Sequence, residues 1–242
     1  MIKPTVRIQA STISQNLNVL NNLQDLKKNN SGLFWILVFT VITRTAMYLG
    51  GRPWDDNVVN DTILNGDGKV YHDIAVGFLT GIPLSESNWA ADRTLGYPYF
   101  VTALYAISNK SIWFVLAIQS LLNVLMVPMI YWTTCKIFKS TSAGTFGAGT
   151  FAISAIPAAW ATRYLFTETL FCFLLLVSIM AFIQALNRES IRWFFVIGLL
   201  VGMTTIVRSI LQFFIAIPIL IVLIQDRAIR QKLILSSVMI IG

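Results

Sequence analysis

This chain of 242 residues has little charge: only 12% of its residues are Asp, Glu, Lys or Arg, whereas 56% are hydrophobic. Its mean hydropathy is +0.70, far above that of a water-soluble domain. A soluble globular protein is therefore excluded, and the composition predicts an integral membrane protein whose main solvent is the lipid bilayer.

Cysteine and histidine are also scarce, with two cysteines and one histidine in the whole chain. Cys135 and Cys172 both fall in or beside apolar runs, which excludes a disulfide framework and a thiolate metal site. His72 has no second histidine to complete a zinc-ligand pattern, and a polar surface position is the simpler interpretation. No cofactor is therefore expected. Asp55, Asp56 and Asp67 offer oxygen ligands for a divalent cation, but only as a weak signal.

A dense basic patch with interleaved aromatic residues is missing too, although the net charge is +7. The basic residues are scattered between apolar runs, so nucleic acid is not expected as a partner. The first 31 residues are polar and lack the apolar core of a signal peptide. They predict a cytoplasmic N-terminal arm, followed by a transmembrane module over residues 32–242.

The apolar runs predict an all-α membrane protein with about six to seven transmembrane helices, because roughly 20 apolar residues span a bilayer. Two short spans are expected within Trp193–Ile224, with Arg208 at the turn between them, and Tyr97–Ile107 is expected to be an interfacial helix. A further run begins at Leu233 and stops at Gly242, so the chain looks truncated. The longer predicted spans are Leu33–Leu49, Ile112–Tyr131, Ala143–Ala161 and Leu165–Leu186.

The distribution of Lys and Arg predicts the orientation of these helices. Basic residues are more numerous on the side of the N-terminus, so the positive-inside rule places that terminus in the cytoplasm. Residues 50–110 then form a large extracytoplasmic loop, which is rich in Asp and Glu and is expected to contain juxtamembrane helices.

Within this loop, Asp67, Tyr71, Ile74 and Phe78 recur at the spacing of one face of an amphipathic helix, which Gly81 would end. Two interpretations of Asp67 stay open. It is the N-cap of this helix, following the turn at Asn65 and Gly66, or it is a general base at the membrane surface. Both can hold together.

Four ionisable residues are predicted near the outer end of the spans, where a charge next to hydrocarbon needs a partner. Glu168 opens one span, and the arginines are expected at the same depth, so a polar cavity for an anionic ligand is favoured over separate snorkelling to lipid phosphates. The arginines are Arg44, Arg163 and Arg208.

The order of these features resembles the GT-C superfamily of polytopic glycosyltransferases, in particular the protein O-mannosyltransferase and aminoarabinose transferase relatives. Asp67 and Tyr71 after the first span, the segment Arg93–Tyr99, Glu168 opening a later span, and the glycine-rich segment ending at Arg208 follow that family's order. In many members an acidic residue follows the first Asp, whereas here Gly68 follows, which disfavours a paired-carboxylate or metal role.

This resemblance implies transfer of a sugar from a polyprenyl-phosphate donor to a glycan, lipid or protein acceptor on the extracytoplasmic face, with inversion. Asp67 would be the catalytic base, and Arg93, Arg163 and Arg208 would bind the donor phosphate. Tyr71, Glu168 and Arg44 would have supporting roles. Two alternatives remain from the sequence: a transporter or flippase for an anionic lipid-linked substrate, and a non-catalytic, truncated membrane subunit.

Overall fold

A computed structural model describes residues 31–82, 93–188, 190–213, 215–224 and 229–241, and these residues form helices and connecting turns without strands. The predicted all-α class is confirmed for this part of the chain. Residues 1–30 of the predicted N-terminal arm, together with Glu86 and Asp92 of the acidic loop, lie outside the described residues. The helices are α1 Ser31–Gly50, α2 Asp56–Val58, α3 Asp67–Thr80, α4 Gly96–Ser108, α5 Ile112–Phe138, α6 Thr141–Ile153, α7 Ala155–Arg163, α8 Thr167–Arg188, α9 Ile191–Val207, α10 Ala216–Ile224 and α11 Ile229–Ile241.

Three of the described helices, α1, α5 and α8, are long and apolar enough to cross a bilayer. The helices α1 and α5 contain the predicted spans Leu33–Leu49 and Ile112–Tyr131, with α5 continuing to Phe138, and α8 overlaps the predicted span Leu165–Leu186 with both bounds shifted by two residues. The remaining helices are shorter, so the count of six to seven transmembrane helices stays a prediction.

A single helix over the predicted span Ala143–Ala161 is wrong, because the chain forms two helices there, and whether they cross the bilayer together stays a prediction. The helix α6 ends at Ile153, Ser154 adopts an extended backbone, and α7 begins at Ala155. Pro157 lies in the first turn of α7, where its missing N–H costs nothing. A break of this kind frees backbone carbonyls, which need other donors when they are buried.

The break predicted at Arg208 is confirmed. The helix α9 ends at Val207, Arg208 has an extended backbone (φ −152°, ψ 111°), and a 3₁₀ turn at Ser209–Phe213 leads towards α10. Whether the helices on either side of this break cross the bilayer stays a prediction.

Small residues of α6 allow it to pack closely on α5, as the sequence predicts. A Cβ atom at Gly144 would clash with the Cys135 sulfur and lie 2.9 Å from the Tyr131 carbonyl oxygen, and one at Gly147 would lie 3.1 Å from the Thr134 hydroxyl. Gly144 is therefore required at this crossing, and a side chain at Gly147 would require the Thr134 side chain to shift.

The predicted extracytoplasmic loop, residues 50–110, contains α3 and α4, which pack against each other, while its position outside the membrane stays a prediction. Gly81 ends α3 in the left-handed conformation (φ 74°), as predicted. Tyr97, Val101 and Tyr105 of α4 are buried in one apolar cluster with Tyr71 of α3. The helix predicted at Tyr97–Ile107 is confirmed, and its packing holds α3 against the ends of α8 and α9, while its interfacial position stays a prediction.

Candidate active site

A polar cleft of about 210 Å³ lies where α3, the segment before α4, the start of α8 and the end of α9 meet. Two carboxylates and two guanidinium groups share this cleft, and they form two ion pairs. Its lining residues are Asp67, Tyr71, Arg93, Thr94, Phe166, Thr167, Glu168, Val207, Arg208 and Ser209.

Asp67 is the first residue of α3, and its carboxylate does not cap the helix. The N-cap position belongs to Gly66 (φ 56°), which makes no side-chain cap hydrogen bond. The interpretation of Asp67 as an N-cap is therefore wrong. Instead, Arg93 donates to both carboxylate oxygens, Nη2 to Oδ1 at 2.6 Å and Nη1 to Oδ2 at 3.4 Å. The positive end of the helix dipole also favours a carboxylate at this position.

Gly68 follows Asp67 in the first turn of α3, and there is no room for a side chain at this position. A Cβ atom would clash with the carbonyl oxygen of Ile63, which ends the π-helical turn Val59–Ile63. An acidic residue next to Asp67, as the resembling family often has, therefore does not fit this backbone. Asp67 is the one carboxylate that the start of α3 presents to the cleft.

Arg93 reaches Asp67 because its segment is fixed against the end of α9. The Thr94 hydroxyl donates to the Val207 carbonyl at 2.7 Å. A Cβ atom at Gly96 would lie 2.7 Å from both the Ile206 carbonyl carbon and the Val207 nitrogen, so only glycine permits this approach. Thr94 and Gly96 thus set the position of Arg93.

Glu168 and Arg208 form the second ion pair, with Arg208 Nη1 at 3.1 Å from Glu168 Oε1. This contact is the partner that the sequence required for a carboxylate beside hydrocarbon. The Arg208 guanidinium also lies 5.8 Å from the centre of the Phe171 ring, a cation–π distance. Because α9 ends before Arg208, its side chain can turn into the cleft.

Tyr71 lies between the two ion pairs and is only 7% exposed. Burial raises the pKa of its phenol, and the charges of Asp67 and Glu168 add to this rise while Arg93 and Arg208 oppose it. Tyr71 therefore stays protonated at neutral pH and can donate a hydrogen bond into the cleft.

A buried hydrogen-bonded chain fixes the wall behind Tyr71. The Tyr71 and Tyr97 rings meet edge to face at 5.0 Å, and the Tyr97 hydroxyl donates to Gln119 Oε1. Gln119 Nε2 in turn donates to the carbonyls of Trp160 and Tyr164 at 3.3 and 3.0 Å. These contacts connect α3 and α4 to α5 and the end of α7, so the wall of the cleft behind Tyr71 is rigid.

Arg44 does not reach the cleft, although the sequence predicted it at the same depth. It is 3% exposed, and it donates to Asn123 Oδ1 and to the Ala152 carbonyl, both at 2.9 Å. It also makes two longer contacts, both at 3.3 Å, to the Phe151 carbonyl and the Thr43 hydroxyl. Arg44 thus satisfies the carbonyls freed by the break after α6, a structural position that the sequence did not reveal.

Arg163 also lies outside the cleft lining, at the end of α7 and exposed. Within the described residues it makes no ion pair or hydrogen bond, and it lies beside the end of α1 near Gly50 and Gly51. Its predicted contact with a donor phosphate stays a prediction.

No group of three His, Cys, Asp or Glu side chains among the described residues is arranged to hold a metal ion. Asp55 accepts from the Asn57 backbone at 3.1 Å and pairs with Arg52, apart from the cleft. His72, expected at the surface, is half-buried and lies with Nδ1 at 2.8 Å from the Tyr105 hydroxyl.

Three hydroxyl-bearing residues of the cleft were not predicted from the sequence: Thr94, Thr167 and Ser209. Each lies directly next to a residue that the sequence did predict: Arg93, Glu168 and Arg208, respectively. That adjacency at helix ends is the signal that would have identified them, because short polar residues beside a charge at a helix end line the same surface.

The chain matches the family model of dolichyl-phosphate-mannose-protein mannosyltransferases over residues 92–242, which is more than half of its length. The matched region includes Arg93, Glu168 and Arg208 and begins after Asp67. No curated protein and no solved structure matches the chain.

Proposed function

The chain belongs to the dolichyl-phosphate-mannose-protein mannosyltransferase family of GT-C type, and from this we propose that it transfers a sugar from a polyprenyl-phosphate donor to an acceptor on the extracytoplasmic face. Membership implies a membrane glycosyltransferase and a lipid-linked sugar donor. The finer assignment, with Asp67 as general base and Arg93 and Arg208 on the donor phosphate, is supported by the composition of the cleft.

In the proposed reaction, the acceptor hydroxyl gives its proton to the Asp67 carboxylate as its oxygen attacks the anomeric carbon of the sugar. The bond from that carbon to the phosphate oxygen breaks, and its electron pair stays on the phosphate. Attack opposite the leaving group inverts the anomeric centre. A carboxylate half-exposed at the mouth of the cleft is accessible to an acceptor arriving from water.

The leaving phosphate gains negative charge in the transition state, and guanidinium groups stabilise that charge best when they are already in position. Arg93 and Arg208 are held by Asp67 and Glu168 in the same cleft. Both cations are fixed before the donor arrives, so little ordering is required when it binds.

The Asp67–Arg93 contact also predicts an order of events. Half-exposed ion pairs contribute less than about 1 kcal/mol to stability, so a phosphate can replace the carboxylate on Arg93 at little cost. A donor phosphate bound to Arg93 leaves Asp67 free to accept a proton. Donor binding would therefore precede activation of the acceptor.

One observation supports this proposal above the others: the two-point contact between Asp67 and Arg93 in a cleft that also contains Arg208. No feature of the described helices favours a transporter, because the paired charges of the cleft all lie at one end of α8 and α9 rather than along a path between them.

The proposal is tested with Asp67→Asn in a transfer assay with reconstituted full-length protein and a polyprenyl-phosphate sugar. We expect a loss of about 100-fold or more in kcat, the usual effect of removing a general base. Asp73→Asn is the matched control, since Asp73 lies on the same helix and pairs with Lys69 at 2.9 Å outside the cleft. Unchanged transfer by Asp67→Asn would refute the assignment of the base.

A further inference from the structure

A large apolar groove lies between α5, α8 and α9, towards the ends of α5 and α8 that are remote from the cleft. Its volume is about 590 Å³, within the roughly 300–1,000 Å³ typical of small-molecule sites. Since α5 and α8 are candidate membrane spans, the groove lies at the depth of the lipid chains. It is lined by Met129, Trp132, Phe173, Val177, Met180, Ala181, Gln184, Trp193, Val196 and Leu200.

Two exposed cations lie at one end of this groove, each on a tryptophan of its wall. Lys136 Nζ lies 5.9 Å from the centre of the Trp132 ring, and Arg188 Cζ lies 5.6 Å from that of Trp193. Neither cation forms an ion pair with a described residue. The segment between α5 and α6 has no acidic residue. The segment between α8 and α9 has one, Glu189, which lies outside the described residues.

The position of these pairs fits the level of lipid headgroups. Glu168 in the cleft and Arg188 are 20 residues apart on one helix, which corresponds to about 30 Å and matches the thickness of the hydrocarbon core. Tryptophans concentrate at the two surfaces of a bilayer, and basic residues beside transmembrane helices attract anionic headgroups.

We propose that this groove and its two cations form a binding site for an anionic glycerophospholipid, at the end of the bundle opposite the cleft. One acyl chain would occupy the apolar groove, and the headgroup phosphate would accept hydrogen bonds from Lys136 and Arg188. Charge complementarity selects this occupant, because an apolar groove alone would accept any lipid chain, whereas two cations at its mouth favour a negative headgroup.

The test uses full-length protein, delipidated in detergent and then loaded with phosphatidylglycerol or phosphatidylcholine, with bound lipid counted by native mass spectrometry. We expect phosphatidylglycerol to be retained preferentially and the double variant Lys136→Gln/Arg188→Gln to retain about tenfold less. The matched control is Lys139→Gln/Arg192→Gln, which also removes two positive charges near the same helix ends but leaves both cation–π pairs intact. It should retain as much lipid as the unmodified chain.

A second variant tests the groove itself. Val177→Phe fills part of the groove while leaving both cations in place, and it should also lower retention of phosphatidylglycerol. Equal retention of both lipids, or equal losses in the two charge variants, would overturn the proposal. Preferential retention of a polyprenyl phosphate over phosphatidylglycerol, abolished by Lys136→Gln/Arg188→Gln, would overturn it as well. Each readout is lipid binding, so the result is independent of transfer activity.

Discussion

Arg93 contacts both carboxylate oxygens of Asp67, the nearer at 2.6 Å, although the two residues are 26 positions apart and belong to different elements. The proposed base and the proposed phosphate-binding cation are thus paired with each other until a donor arrives. The same arrangement recurs across the cleft between Glu168 and Arg208. Because each cation has a known carboxylate partner in the cleft, the effect of replacing it on transfer can be predicted.

Arg93→Gln and Arg208→Gln should each weaken transfer because a charge-assisted contact to the donor phosphate is lost. Such a contact is worth roughly 1.5–3 kcal/mol, or about 10- to 100-fold in kcat/KM. The measurement is steady-state transfer at varied concentrations of polyprenyl-phosphate sugar.

Arg52→Gln is the control for those variants, since Arg52 pairs with Asp55 outside the cleft at 3.4 Å and should be dispensable. If Arg93→Gln left both kcat and the KM for the donor unchanged, Arg93 would neither bind the donor phosphate nor be needed to position Asp67.

Gly96→Ala should lower activity by displacing Arg93 and Thr94 from the end of α9. The added Cβ atom would lie 2.7 Å from backbone atoms of Ile206 and Val207, which cannot move aside as a side-chain tip can. We expect at least about a tenfold loss of transfer, since small displacements of positioning groups are costly.

The control for Gly96→Ala is Gly77→Ala on α3, where the added Cβ atom meets only the Ile82 side chain, at 4.0 Å. Alanine in the middle of a helix is favoured by roughly 0.5–1 kcal/mol over glycine, so this variant should be active and slightly more stable. An equally active Gly96→Ala would contradict the tight approach.

The helices that the sequence predicted best are those with simple, long apolar runs. The run Leu33–Leu49 predicts its helix to within two residues, and the run Ile112–Tyr131 predicts the start of a helix that continues to Phe138, because about 20 apolar residues allow little else in a bilayer. The run Ala143–Ala161 predicted one helix where the chain forms two. The carbonyls around the break at Ser154 accept hydrogen bonds from Arg44 of α1 and Asn123 of α5, which are distant in the sequence. Hydropathy alone does not reveal such partners.

The candidate site shows the same division between local and long-range information. Asp67, Tyr71, Arg93, Glu168 and Arg208 were all identified from the sequence, and the structure brings them into one cleft. Which arginine faces which carboxylate could not be predicted, because the approach of residues 93–96 to α9 depends on packing between segments more than 100 positions apart.

His72 should make the stability of the protein depend on pH. Burial lowers its pKa, with Asp73 opposing this effect and Lys69 and Lys110 adding to it. The folded state therefore binds a proton less readily than the unfolded state, whose histidine titrates near the ordinary value of about 6.5. Stability from the neutral imidazole beside Tyr105 is fully present above that value and is lost as the pH falls through it towards the lower folded-state pKa.

The measurement for His72 is the midpoint of thermal unfolding in detergent between about pH 7.5 and pH 5. His72→Gln should flatten this part of the profile, whereas Lys69→Gln should make the fall smaller, because removing a cation that lowers the folded-state pKa of His72 brings it closer to the unfolded value. A profile that is the same with and without His72 would assign the pH dependence to other groups.

Arg44→Gln should destabilise the fold without touching the cleft. Arg44 is buried in a candidate span, and its loss leaves the Ala152 carbonyl and Asn123 Oδ1 without a donor that the shorter glutamine can replace. Each buried acceptor left unsatisfied costs roughly 1–3 kcal/mol, which corresponds to about 2–12 °C in the unfolding midpoint for a chain of this length. Arg163→Gln is the matched control, because Arg163 is exposed and makes no ion pair or hydrogen bond within the described residues. If Arg44→Gln kept a normal unfolding midpoint but lost transfer activity, Arg44 would instead have a role in the reaction. A purely structural role would not lower activity without also lowering stability.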